Sequence, residues 1–72
     1  MENMMQITPA AARVNAGFTQ EEAAERIGVT KQTIVNWEKG NSIPSTEKAQ
    51  VMADVYQMPL QFIYFKRKST VA

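Results

Sequence analysis

An all-α domain, a compact bundle of four to five short helices, is the architecture encoded by this chain's local signals. Residues able to cap a helix N-terminus stand at Thr8, Thr19, Thr30 and Ser45, and glycines able to end a helix stand at Gly17, Gly28 and Gly40. Between these marks the apolar residues recur at spacings of three and four, the period of a one-sided helix.

The first helix opens at Thr8-Pro9, since proline's missing N–H would be unpaired at the first helical position anyway. Ala10 to Ala16 has high helix propensity, and Gly17 stops it. Thr19 and Glu22 form a capping box for the second helix, with Phe18 placed to staple onto Ala23. That helix turns Ala23, Ala24 and Ile27 inward and Glu21, Glu22, Glu25 and Arg26 toward water. Gly28 supplies the positive φ of a sharp helix-to-helix turn, Val29 is the turn's apolar residue, and Thr30 caps the third helix.

With Ile34 pointing inward, helical rotation brings Trp37 and Glu38 to the same side. Gln32, Asn36 and Lys39 then point away, Val35 lies at the edge, and Lys31 sits at the exposed N-terminal end. After a loop from Asn41 to Pro44, Ser45 caps a fourth helix with Glu47 in its first turn, where the dipole favours an anion. Its inward stripe is Ala49, Met52, Ala53 and Tyr56. Met58-Pro59 breaks the chain, and Leu60 to Phe65 fits either a fifth short helix or a terminal strand. The domain is thus expected over residues 8–65, between a loose arm at 1–7 and a basic tail at 66–72.

Composition narrows the function. The 72 residues include no cysteine and no histidine, which removes disulfides, thiolate metal sites and the commonest general base. Seven carboxylates are scattered over helix surfaces, so neither an enzyme nor a metal site is expected. No apolar run approaches a membrane span and no leader opens the chain, so a cytoplasmic protein is expected. The net charge is only +1, and residues 1–65 hold five Lys/Arg against seven Asp/Glu. Any nucleic-acid affinity must therefore come from local placement of charge, with Lys66, Arg67 and Lys68 as the one basic run.

Arg13, then Thr19-Gln20-Glu21-Glu22-Ala23-Ala24, Gly28-Val29-Thr30, Ile34, Trp37-Glu38-Lys39-Gly40 and Pro44 form one spaced set. The set resembles the helix-turn-helix of the Cro and phage-repressor family, also called the XRE family. The likeness covers about residues 10–65 with every spacing preserved. Three positions depart from the family pattern: the first helix begins late, Ala23 stands where Leu is common, and Pro59 replaces a polar cap of the fifth helix. The resemblance implies a lambda-repressor-like fold with the third helix in the major groove of operator DNA.

The expected base contacts follow from side-chain chemistry. Gln32 and Asn36 lie one turn apart on the outer face, and each suits a bidentate contact to adenine. Lys31 suits guanine O6/N7 or a phosphate, and Val35 a thymine methyl. A plain solvated face is the alternative for these residues; the complete motif weighs against it. By resemblance Gln20 donates to the DNA backbone where its helix dipole faces a phosphate, with Thr30, Thr33, Lys39 and the backbone around Asn41 and Ser42 as further anchors. The resemblance also pairs Arg13 with Glu38, an ion pair that would orient the third helix and touch no base.

Trp37, Met52, Met58 and Phe62 are expected in the core. Ile63, Tyr64 and Phe65 exceed what so small a core can bury, and they are expected to form an apolar patch for a homodimer. The function expected is sequence-specific regulation of transcription, as a repressor of the phage or mobile-element kind. An antitoxin or a restriction controller would use the same fold, and a protein-interaction module would have lost the polar outer face. No cofactor, metal or small-molecule effector is expected.

Overall fold

Each of the four α-helices described in the computed structural model starts on a hydroxyl that accepts from the backbone N–H three residues on. Thr8 accepts from Ala11 to open α1 (Pro9–Ala16), and Thr19 accepts from Glu22 to open α2 (Gln20–Ile27). Thr30 accepts from Thr33 to open α3 (Lys31–Lys39), and Ser45 from Lys48 to open α4 (Thr46–Val55). A cap of this kind contributes about 1 kcal/mol. At α2 the box is complete, because the Thr19 N–H also donates to Glu22 Oε1 at 2.8 Å. The structure describes residues 6–66.

Gly28 is the joint that matters for function. Its φ of 90° lies in the left-handed region, which turns the chain sharply from α2 into α3. The two helices consequently pack on each other as a unit, with α4 behind α2 and α1 against α3. Ile34 of α3 and Met52 of α4 are the largest fully buried side chains, surrounded by Ala12, Ala23, Ala24, Ile27, Trp37, Ala53 and Tyr56. Ala23 has no solvent exposure, so the small residue at that position leaves no gap open to water. The Phe18 ring lies tilted against Tyr56, centroids 6.3 Å apart, with the Arg26 guanidinium 4.7 Å over its face.

The C-terminal element is neither of the two forms considered alone. A 3₁₀ turn (Leu60–Phe62) is followed by extended chain, and Ile63 forms a parallel bridge with Ile7. The Ile7 N–H donates to the Phe62 carbonyl and the Tyr64 N–H to the Ile7 carbonyl, both at 2.8 Å. Pro59 explains the short turn: it allows a start but supplies no side-chain cap.

This bridge corrects three expectations. Ile7 is tied to the far end of the chain, so the arm expected over 1–7 does not extend to its last residue. Ile63 is buried, because the bridge turns it into the core, and it does not belong to an exposed patch. Phe62, expected in the core, is instead more than a third exposed at 37%. Residues 1–5 of the arm, and the basic tail beyond Lys66, lie outside the described residues.

Candidate nucleic-acid interface

The third helix is held from beneath by a four-part polar clamp. Arg13 of α1 donates from Nε to Glu38 Oε2 at 2.7 Å and from Nη2 to Glu38 Oε1 at 3.2 Å. A third donor, Arg13 Nη1, reaches the Phe18 carbonyl at 2.9 Å, fixing the guanidinium to the α1–α2 turn. Gln20 adds Nε2 to Glu38 Oε1 at 2.9 Å, so the carboxylate is held from two helices. Both charged side chains are largely buried, 14% and 9% exposed. The hydrogen bond to Glu38 raises the Arg13 pKa above its ordinary value against the opposing effect of burial. Burial, reinforced by the nearby Glu38 charge and opposed by Arg13, pushes the Tyr56 hydroxyl up to about 12.

Gln20 is expected at a phosphate; the structure also gives its amide an internal partner, Glu38. Its amide still has a second hydrogen and a carbonyl for a phosphate. No sequence signal links Gln20 to Glu38, because they meet only when α2 and α3 pack.

Above the clamp, α3 divides as helical rotation demands. Ile34 and Trp37 are buried, whereas Lys31, Gln32 and Lys39 are exposed and Val35 and Asn36 are half-buried. The outer face is organised, not merely wet. Gln32 Nε2 donates to Asn36 Oδ1 at 3.2 Å, and Asn41 Nδ2 donates to the same oxygen at 3.3 Å. Lys31 Nζ lies 3.1 Å from Glu21 Oε2 on the exposed rim. The hydrogen bond from Lys31, followed by one to its own backbone, lowers the Glu21 pKa.

The expected phosphate anchors sit around this face with different freedom. Thr30 Oγ1 accepts from the Thr33 N–H and lies 2.9 Å from Thr33 Oγ1, so one hydroxyl hydrogen of the pair remains for an outside acceptor. Lys39 is exposed in the last turn. The backbone around Asn41 and Ser42 does not match its expected role. Both N–H groups point at the Asn36 carbonyl, at 2.9 and 3.4 Å, closing the helix through Gly40. Only the side chains of Asn41 and Ser42 are left for DNA.

Among the described residues no three His, Cys, Asp or Glu side chains are grouped to hold a metal ion. No helix among them is long and apolar enough to cross a membrane.

Comparison with known proteins agrees with this geometry. A family model described as helix-turn-helix matches residues 10–63. An uncharacterized HTH-type transcriptional regulator of Methanothermobacter thermautotrophicus is 61% identical over 33 residues, 46% of this chain and 48% of the relative. Another, YgzD of Bacillus subtilis, is 32% identical over 53 residues, covering 74% of this chain and 80% of the relative. The cryptic phage CTXphi transcriptional repressor RstR of Vibrio cholerae is 40% identical over 48 residues, 67% of this chain and 43% of the repressor. The chain thus spans about half the length of the first and third of these proteins. No solved structure gives a significant match. With the matched model reaching from α1 to the final bridge, the chain belongs to the helix-turn-helix family of DNA-binding transcriptional regulators, in the Cro and phage-repressor (XRE) group.

Proposed function

We propose that the protein recognises a specific duplex DNA operator by laying α3 in the major groove, and that it represses transcription as a homodimer. The observation that carries this reading is the division of α3. Ile34, Trp37 and Glu38 are locked inward while Lys31, Gln32 and Lys39 stand uncovered beside Val35 and Asn36. A helix so held presents donors and acceptors at fixed positions, which is what reading base edges requires.

Gln32 then reads adenine, Lys31 meets guanine or a phosphate, and Val35 touches a thymine methyl. Phosphates are met by Gln20, Thr30 or Thr33, Lys39 and the side chain of Ser42. The similarity to a protein named as a phage repressor supports repression over activation. Exposed Phe62 and Tyr64, beside half-buried Phe65, support a self-association surface at the C-terminal end. Ile63 has no part in it.

Selecting bound duplexes from a random pool tests the reading. The expected product is a twofold-related site with half-sites about one helical turn apart, roughly 34 Å. No enrichment of any sequence at low salt would overturn it.

A further inference from the structure

Two amides converge on the oxygen of a third on the outer face, and their free valences are unequal. Asn36 Oδ1 has two lone pairs, and it accepts both from Gln32 Nε2 at 3.2 Å and from Asn41 Nδ2 at 3.3 Å. As an acceptor that oxygen is full. A bidentate adenine contact needs one acceptor and one donor on the same carboxamide. Asn36 retains only its two Nδ2 hydrogens, whereas Gln32 keeps Oε1 and its second Nε2 hydrogen. Of the two amides expected to read bases, Gln32 alone holds a complete adenine edge.

Asn41 is fixed more firmly than a loop residue needs to be. Its backbone N–H donates to the Asn36 carbonyl at 2.9 Å while its side chain reaches Asn36 Oδ1. Gly40, left-handed at φ 82°, folds the chain back to make both contacts possible. An amide presented the wrong way round would offer a donor where adenine N6 needs an acceptor. Fixing its direction is therefore a specificity function.

We propose that Asn36 and Asn41 are positioning residues for Gln32: Asn41 and Gln32 share Asn36 Oδ1, which sets the direction of the Gln32 carboxamide for a single adenine per half-site. Asn41 thus acts on base choice and not on a phosphate. The proposal rests on the DNA-binding reading above and divides labour within it.

The test selects duplexes from a random pool with the wild-type protein, Gln32→Ala, Asn36→Ala, Asn36→Asp and Asn41→Ala. Gln32→Ala should lose about tenfold discrimination or more at one base position, the scale of a base contact. Asn36→Ala and Asn41→Ala should lose preference at that same position, with unchanged salt dependence for Asn41→Ala. Asn36→Asp keeps the accepting oxygen, so it should retain the preference while its charge weakens all duplexes alike. Side-chain amide resonances of Gln32 and Asn41 in the DNA-free protein should shift together in Asn36→Ala. The proposal is overturned if Asn36→Ala alters a different base position from Gln32→Ala, if Asn36→Asp loses the preference, if Asn41→Ala flattens the salt dependence, or if the resonances stay put. Loss of all sequence preference by the wild-type protein would instead sink the DNA-binding reading, and the amide resonances would still report on the network.

Discussion

Arg13 and Glu38, on helices separated by the whole of α2, meet through two hydrogen bonds of 2.7 and 3.2 Å beneath the outer face of α3. The pair is desolvated enough that its members depend on each other. Arg13→Met leaves the Glu38 carboxylate buried with Gln20 as its remaining side-chain donor. Breaking a buried pair from one side costs about 3–5 kcal/mol, and urea unfolding should show a loss near the lower end. Arg13→Met with Glu38→Leu should recover most of that loss, because no charge is then stranded. A single-variant loss under about 1 kcal/mol would mean the pair behaves as an exposed one.

Two turn positions should respond in opposite directions. Gly28 sits at φ 90°, and a Cβ added there meets nothing within 4 Å. Gly28→Ala therefore suffers only backbone strain, about 1–2 kcal/mol of stability, and Gly28→Asn less. Gln57 ends α4 with φ 56°, a left-handed conformation without glycine's freedom. Gln57→Gly should raise stability by about 0.5–1 kcal/mol. Thermal melts of the two variants, moving apart from the wild type, would check both claims.

That contrast marks what the sequence made legible. Caps and glycines act within three or four residues, so Thr8, Thr19, Thr30, Ser45 and Gly28 announce the helices. The inward phase of Ile34 and Trp37 follows from the same short-range geometry. Gln57 carries no such mark: its left-handed turn lets the Met58 N–H close α4 on the Ala53 carbonyl at 3.0 Å, and a glutamine does not announce that conformation. The Ile7–Ile63 bridge joins the two ends of the domain, and no local pattern encodes such a pairing. Glu21 beside Lys31 and Gln20 on Glu38 depend likewise on how α2 docks against α3. Residue types on the outer face of α3 are legible in the sequence; their mutual hydrogen bonds are not.

Alkaline titration should expose Tyr56. Its hydroxyl is pushed from an ordinary value of 10.0 up to about 12, first by burial and then by Glu38. Below pH 10 folded and unfolded chains both keep the proton, and stability is unaffected. Above that, the unfolded chain ionises first, so stability falls as pH rises through the interval up to about 12. Tyr56→Phe removes the group, and its melting temperature should decline less steeply over that interval. Parallel curves for the two proteins would rule the effect out.

Lys39 separates general attraction from base reading. It is exposed in the last turn of α3, at the rim of the proposed groove contact. Lys39→Ala should weaken cognate and random duplexes by the same factor and reduce the slope of log affinity against log salt by about 1. Glu21→Gln should act in the opposite sense, since removing a carboxylate from the rim lowers repulsion of phosphates. Titrations at several salt concentrations measure both, and a sequence-dependent loss for Lys39→Ala would place it among the base contacts.

The C-terminal end offers a way to separate folding from association. Ile63 is buried in the core and paired with Ile7, whereas its neighbour Tyr64 is 46% exposed. Ile63→Ala should cost about 2–4 kcal/mol of stability, as deletions from packed cores do. Tyr64→Ser touches little inside the domain and should leave stability nearly unchanged. If the exposed aromatic residues form the dimer contact, Tyr64→Ser should instead weaken self-association and the cooperativity of binding to paired half-sites. Sedimentation equilibrium compares the wild type with both variants. A wild-type protein that stays monomeric at high concentration, with and without DNA, would show that Phe62 and Tyr64 serve no second copy of this chain.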